Sequence, residues 1–62
     1  MTTKTNLLEE MIGLLEEARD DHEKFFDRGN NAAGTRVRKA MQEVKTLAQE
    51  LRTEVQEAKN AQ

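Results

Sequence analysis

Several residue types are absent or scarce in this 62-residue chain. It has no cysteine, proline, tryptophan or tyrosine, and its only phenylalanines are Phe25 and Phe26. The absence of cysteine excludes disulfides and thiolate metal sites. No apolar run approaches the roughly 20 residues that span a bilayer, and the N-terminus lacks the charged-then-apolar pattern of a signal peptide. We therefore expect a cytoplasmic protein that does not bind membranes.

Residues that could carry catalysis are equally scarce. Serine is absent, and His22 is the single histidine. The stretch HEKFF at 22–26 begins like a zinc-protease helix, but Phe26 stands where the second histidine would be needed. A di-iron site in a helical bundle needs a glutamate three residues before its histidine, and Arg19 occupies that position. We expect a non-enzyme that binds no cofactor, metal or small-molecule substrate.

The residues that are present favour long helices. Charged residues make up 35% of the chain, and Ala, Glu, Lys, Leu and Arg are abundant, a composition typical of solvated, mutually packed helices. A chain of this length forms one domain, residues 1–62. So small a domain usually needs association to bury enough apolar surface.

Helix 1 is predicted from about residue 6 to residue 28. Asn6 is a suitable N-cap, with Glu9 three residues later as in a capping box. Apolar residues then recur at alternating steps of three and four, which is the spacing of a coiled-coil seam. The predicted seam consists of Leu8, Met11, Leu15, Ala18, His22 and Phe25, and Leu7, Ile12, Leu14 and Phe26 widen it. A lone histidine on such a seam is expected to be mostly buried.

A short connector, about residues 29–31, should separate the two helices. Gly29 can adopt the left-handed conformation that ends a helix, and Asn30 or Asn31 can cap the next one. Helix 2 then runs from about residue 32 to residue 59 and repeats every seven residues, with apolar positions at Val37, Val44, Leu51 and Ala58 and again at Met41, Ala48 and Val55. A strict heptad predicts a supercoiled helix that is packed along its whole length.

These elements predict an all-α fold. A connector of about three residues forces the helices into an antiparallel, coiled-coil-like hairpin. Two helices alone cannot cover apolar faces this wide, so we expect a homodimer or higher oligomer, most simply a four-helix bundle of two hairpins. The predicted oligomer interface comprises Leu8, Met11, Leu15, His22, Phe25, Val37, Met41, Val44, Leu51 and Val55.

Charge is distributed unevenly along the chain. Residues 1–27 contain three cations and eight acids, whereas residues 28–62 contain seven cations and four acids. The stretch DRGNNAAGTRVRK at 27–39 has four cations around small residues at the start of helix 2, where free N–H groups favour anions. This stretch is either a phosphate cradle or a tight hairpin in which two backbones approach closely.

A second basic feature follows the heptad of helix 2. Arg38, Lys45, Arg52 and Lys59 form one row, and Glu43, Glu50 and Glu57 fall on the opposite flank. A basic row of this kind can follow phosphates. It can equally pair with an acidic helix, because coiled coils commonly place lysine and glutamate on opposite flanks.

The stretch RGNNAAGTRVRK at 28–39, together with the heptads that follow it, resembles the helical domain of bacterial linker-histone-like proteins. These are small nucleoid proteins related to the chlamydial histone-like protein. The resemblance implies DNA binding and chromosome compaction. Asn31 stands where a lysine is expected, and the chain reaches Gln62 without the lysine-rich tail of many members. We therefore expect a short form with weak DNA affinity.

The sequence thus predicts a histone-like, nucleoid-associated protein that binds DNA non-specifically through its basic hairpin end and compacts or bridges it. One alternative is a structural module that oligomerises or binds another protein without nucleic acid, and another is an RNA binder. The predicted DNA-binding residues are Arg28, Asn31, Arg36, Arg38, Lys39 and Lys45.

Overall fold

The computed structural model describes residues 6–61, which form two helices. Helix α1 spans Leu7–Arg28 and helix α2 spans Asn31–Ala61, so that Gly29 and Asn30 alone connect them. The all-α prediction is confirmed. Helix α2 begins slightly earlier and ends slightly later than predicted, because Asn31 already belongs to its first turn and the helix continues past Lys59.

Side chains and backbone of the predicted caps define the ends of α1. The Asn6 side chain accepts hydrogen bonds from the backbone N–H groups of Leu8 and Glu9, which would otherwise lack intrahelical partners. At the other end Gly29 adopts the left-handed conformation, with φ 67°. Its N–H donates to the Phe25 carbonyl, which is the hydrogen bond of an αL C-cap, and the N–H of Asn30 donates to the Lys24 carbonyl.

Asn30 both ends the connector and starts α2. Its side-chain oxygen accepts a hydrogen bond from the N–H of Ala33 at 3.1 Å, and its carbonyl accepts one from Gly34 at 3.2 Å. Of the two asparagines considered as caps, Asn30 therefore has this role and Asn31 is the first helical residue. The direct succession of an αL C-cap at Gly29 and an N-cap at Asn30 explains how two residues reverse the chain.

The two helices pack along one stripe of α1. This inner stripe consists of Leu7, Met11, Leu14, Ala18, Asp21 and Phe25, all of them buried or half-buried. Opposite it lie the small and apolar residues of α2 from Ala33 to Leu51. Among the described residues only two alanines are buried, Ala18 at 7% exposure and Ala33 at 0%. The single hairpin thus has a shallow core.

A second stripe of α1 lies beside the first and faces solvent. This outer stripe consists of Leu8, Ile12, Leu15, Arg19, His22 and Phe26, all of them exposed. The predicted seam combined residues of both stripes, since Met11, Ala18 and Phe25 belong to the inner one. The hairpin therefore uses half of the predicted seam and leaves the other half uncovered.

Neither of the two helices within residues 6–61 is both long and apolar enough to cross a membrane.

Candidate nucleic-acid interface

The small residues at the start of α2 allow a close approach between the helices. A Cβ atom placed on Gly34 would lie 2.6 Å from Cδ1 and 2.8 Å from Cε1 of the Phe25 ring. Real Cβ atoms do not come this close to other carbon atoms, so the ring of Phe25 packs directly on the α2 backbone at a position that only glycine permits. The neighbouring Ala33 is completely buried. These two residues serve the packing of the hairpin.

This packing decides between the two interpretations of residues 32–34. A phosphate cradle needs backbone N–H groups that are free to bind an anion. The N–H groups of Ala33 and Gly34 instead donate to Asn30 within the hairpin. The geometry thus favours the tight hairpin over the cradle at Ala33 and Gly34.

Arg36, one of the predicted DNA-binding residues, pairs with an acid of α1. Its guanidinium donates a hydrogen bond to Oδ1 of Asp21 at 2.9 Å, across the two helices. This hydrogen bond, helped by the positive charge of Arg36, holds the pKa of the Asp21 carboxyl below its ordinary value, and the same contact raises the pKa of Arg36. Since the carboxylate offsets the charge of Arg36, this residue has less charge to offer a phosphate.

The ion pair predicts a pH dependence of stability. Because the pKa of Asp21 is lower in the folded protein, the pair stabilises the fold above the unfolded pKa of about 4 and the contribution is lost as pH falls further. The melting temperature should drop less steeply between pH 6 and pH 3 in Asp21→Asn than in the wild type. Arg36→Gln should show the same shallower slope. Identical slopes in all three proteins would contradict the pairing.

The other predicted DNA-binding residues are exposed, but the structure does not gather them into one cluster. Lys39 lines a groove with Glu17, Asp21, Arg36 and Glu43, which is a mixed-charge surface.

On the opposite side of the hairpin, Arg38 and Asn31 line a groove with Phe25, Phe26 and Thr35, where no acid is present. The exposed Arg28 ends α1, and Lys45 lies one heptad beyond Arg38. The basic surface is therefore split between the two sides of the connector end.

Most of these cations remain free of ion pairs with the carboxylates of residues 6–61. Within that range the pairs are Arg36 with Asp21 and Lys24 with Asp20, the latter at 3.5 Å. Arg28, Arg38, Lys39 and Lys45 take no part in these pairs and are exposed. They are the residues of the predicted set best able to contact an anion.

The predicted oligomer interface divides in the same way as the seam. Phe25, Val37, Val44 and Leu51 are half-buried within the hairpin, as is Met11. Exposed members are Leu8, Leu15, His22, Met41 and Val55. Within one chain His22 is thus exposed rather than mostly buried, and its ring contacts that of Phe26 at a tilt of 43°, with centroids 4.6 Å apart. Burial of this histidine would require a second chain.

Asp21 is the structural residue that the sequence analysis missed. A signal for it exists, because in a hairpin with a two-residue connector the facing residues have numbers that add to nearly the same value. Asp21 and Arg36 add to 57, and Phe25 and Gly34 add to 59. The ion pair follows once the connector is known to be Gly29 and Asn30.

The chain is related to a known protein family. The sequence model of the family described as histone H1-like protein Hc1 matches residues 5–61. The chain belongs to this family. The match confirms the resemblance drawn from residues 28–39 and extends it over helix α1. No curated protein and no solved structure matches the chain.

Membership in the Hc1 family gives the exposed cations a context. A histone H1-like family indicates a DNA-binding nucleoid protein with a structural rather than an enzymatic role. In this Hc1 family member the cations nearest the connector that pair with no carboxylate of residues 6–61 are Arg28, Arg38 and Lys39.

Proposed function

We propose that the protein is a nucleoid-associated protein that binds DNA without sequence preference through the connector end of its hairpin, and thereby compacts or bridges DNA. The observation that carries this proposal is the family match over residues 5–61. Arg28, Arg38 and Lys39 are exposed, form no ion pair with the described part of the chain and supply a physical means of contact.

Phosphates are the part of DNA that such a surface suits. Cations on exposed helical turns neutralise phosphates and release counterions, which requires no particular base sequence. The exposed side chain of Asn31 adds a donor and an acceptor for phosphate or sugar oxygens. Sequence-specific recognition would need several side chains held in fixed positions in the major groove. The exposed cations of this hairpin are few, and their side chains are long. With so few cations the affinity should be weak and strongly salt-dependent.

Titration with duplex DNA tests the proposal. At about 20 mM salt, where the Debye length exceeds about 20 Å, the protein should bind a duplex and its scrambled-sequence counterpart equally well. Affinity should then fall steeply as salt rises toward about 200 mM. A structured RNA of equal length is the comparison, and preference for it would favour an RNA-binding role. Absence of DNA binding at low salt would contradict the proposal.

A second candidate function rests on the uncovered apolar surface. Within residues 6–61 of one hairpin six large apolar side chains are exposed, which is typical of a surface that binds protein. If the titration shows no nucleic-acid binding, a structural oligomerisation or protein-interaction module becomes the better description. Self-association is compatible with both functions.

A further inference from the structure

A single hairpin leaves too much surface exposed for its size. Its accessible surface is 5329 Å², whereas a compact monomer of its mass, 7.1 kDa, exposes about 4,100 Å². The difference exceeds the roughly 800 Å² that each partner buries in a standard protein interface. The surface that a partner would cover is therefore available within this chain.

The exposed apolar side chains lie on one side of the hairpin. The groove that contains Phe26 also contains Val37 and Arg38. It is on the side opposite the groove of Glu17, Asp21, Arg36 and Glu43. The helical periodicity shows which residues share this side along the rest of each helix. It places the outer stripe of α1 beside Met41, Ala48 and Val55 of α2. We call this surface the apolar face. Its exposed large members are Leu8 at 50%, Ile12 at 39%, Leu15 at 45%, Phe26 at 67%, Met41 at 41% and Val55 at 51%.

Oppositely charged rows border the apolar face. On α1 the border is the exposed row Glu9, Glu16 and Glu23, spaced by seven residues. On α2 it is the exposed row Arg38, Lys45 and Arg52, also spaced by seven residues. Arg19 lies within the outer stripe, where its aliphatic part can cover apolar surface while its guanidinium reaches solvent. The face is thus apolar in the middle, acidic along one edge and basic along the other.

We infer that the apolar face binds a second copy of this chain, with the two-fold axis parallel to the helices. Such a rotation places α1 of one protomer against α2 of its partner and brings each acidic edge to a basic edge. A two-fold axis perpendicular to the helices would instead place α1 on α1 and α2 on α2. The glutamate rows would then face each other, as would the basic rows, and like charges in contact oppose association.

The spacing of the charges supports the same arrangement. Rotation about an axis parallel to the helices leaves every residue at its own height along the bundle. The pairs across the interface are Glu9 with Arg52, Glu16 with Lys45 and Glu23 with Arg38, and in each pair the residue numbers add to 61. For residues that contact each other within the hairpin, the two residue numbers add to 57 or 59. The difference of two to four residues corresponds to about 3–6 Å along a helix, which these long side chains can span.

Two consequences follow for the molecule. The basic row of α2 serves mainly to pair with the partner's α1, with Arg38 at the border between this row and the connector end. Both connectors also lie at the same end of the dimer, so that the cations around them form one doubled surface. The inference does not depend on DNA binding, and either proposal can fail without the other.

Spin labels on the connector test the arrangement directly. The chain has no cysteine, so a single Asn30→Cys substitution introduces the only thiol and suffices to carry the label. Neighbouring helices in a bundle are about 10 Å apart, so labels at the same end should lie within about 25 Å of each other. Labels at opposite ends would be separated by more than about 35 Å, since α1 alone is about 33 Å long. Sedimentation equilibrium gives the mass in the same samples.

Because Asn30 also caps α2, a second labelling site guards against loss of the cap. Arg28→Cys lies at the same end in an exposed position and should give an equally short distance. Both labelled proteins should sediment as dimers and retain helical circular dichroism. A dimer with long distances at both sites, a monomer, or a trimer or larger species would overturn the inference.

Charge reversal tests the pairing across the interface. Glu16→Lys or Lys45→Glu alone should raise the dimer dissociation constant about tenfold, because the two-fold axis repeats each altered contact. The double variant Glu16→Lys with Lys45→Glu should restore the wild-type constant. With the two-fold axis perpendicular to the helices, each single change would only replace one like-charge contact by another. Failure of the double variant to recover would overturn the proposed register.

Discussion

Replacing Gly34 by alanine should lower the free energy of unfolding by about 1–3 kcal/mol, whereas the same change at Gly13 should raise it by about 0.5–1 kcal/mol. Both glycines lie within helices, where alanine is intrinsically preferred. A new Cβ on Gly13 would meet nothing within 4 Å, whereas one on Gly34 would lie 2.6 Å from the Phe25 ring. The opposite signs therefore isolate the close packing of the two helices from helix propensity.

Thermal unfolding followed by circular dichroism measures both changes. For a domain of this size 1 kcal/mol corresponds to about 4–8 °C, so the two variants should melt at least about 6 °C apart. Each must be compared with wild type at one protein concentration, because association makes the melting temperature concentration-dependent. Adding Phe25→Leu to Gly34→Ala should recover part of the loss. A Gly34→Ala protein more stable than wild type would disprove the contact.

The helices and the connector could be predicted because local signals specify them. Asn6, Gly29 and Asn30 satisfy backbone groups that every helix end leaves open, and such capping depends on only a few neighbouring residues. The extension of α2 to Ala61 was not predicted, because no glycine or proline marks its end. End positions without a cap residue are poorly specified by sequence.

It was harder to predict which neighbouring helix each apolar residue packs against. A helical period gives the width of an apolar surface, but not the point at which the contact with one neighbour ends and that with another begins. The inner and outer stripes of α1 differ by one residue in register, and the predicted seam ran between them. That intermediate direction is also the one that would face the centre of a four-helix bundle, where both neighbours meet.

The contacts of the charged residues could be predicted only by knowing which positions of the two helices face each other. The heptad placed Arg38, Lys45, Arg52 and Lys59 in a row, but neither composition nor spacing could show that Arg36 pairs with Asp21. That pairing depends on a residue fifteen positions away, brought close by the connector. It also separates the cations of the connector end into one that is neutralised and others that are not.

Removal of two unpaired cations should reduce DNA affinity most. Arg28→Ala combined with Lys39→Ala removes charges near the connector that lie outside the Arg38–Arg52 row and outside any ion pair with a carboxylate of residues 6–61. Each lost phosphate contact should flatten the slope of log affinity against log salt by about 0.9, or about 1.8 for both. At about 50 mM salt this corresponds to an affinity loss on the order of a hundredfold.

The matched control for this DNA-binding prediction is Arg52→Ala combined with Lys59→Ala, which removes the same charge from the far end of α2. Its salt slope should remain close to that of wild type, because those residues lie more than about 19 Å along the helix from Lys39. Both variants must be compared at concentrations where they sediment alike, since Arg52 also borders the apolar face. Equal loss of affinity in the two variants would mean that DNA follows the whole basic row and not the connector end.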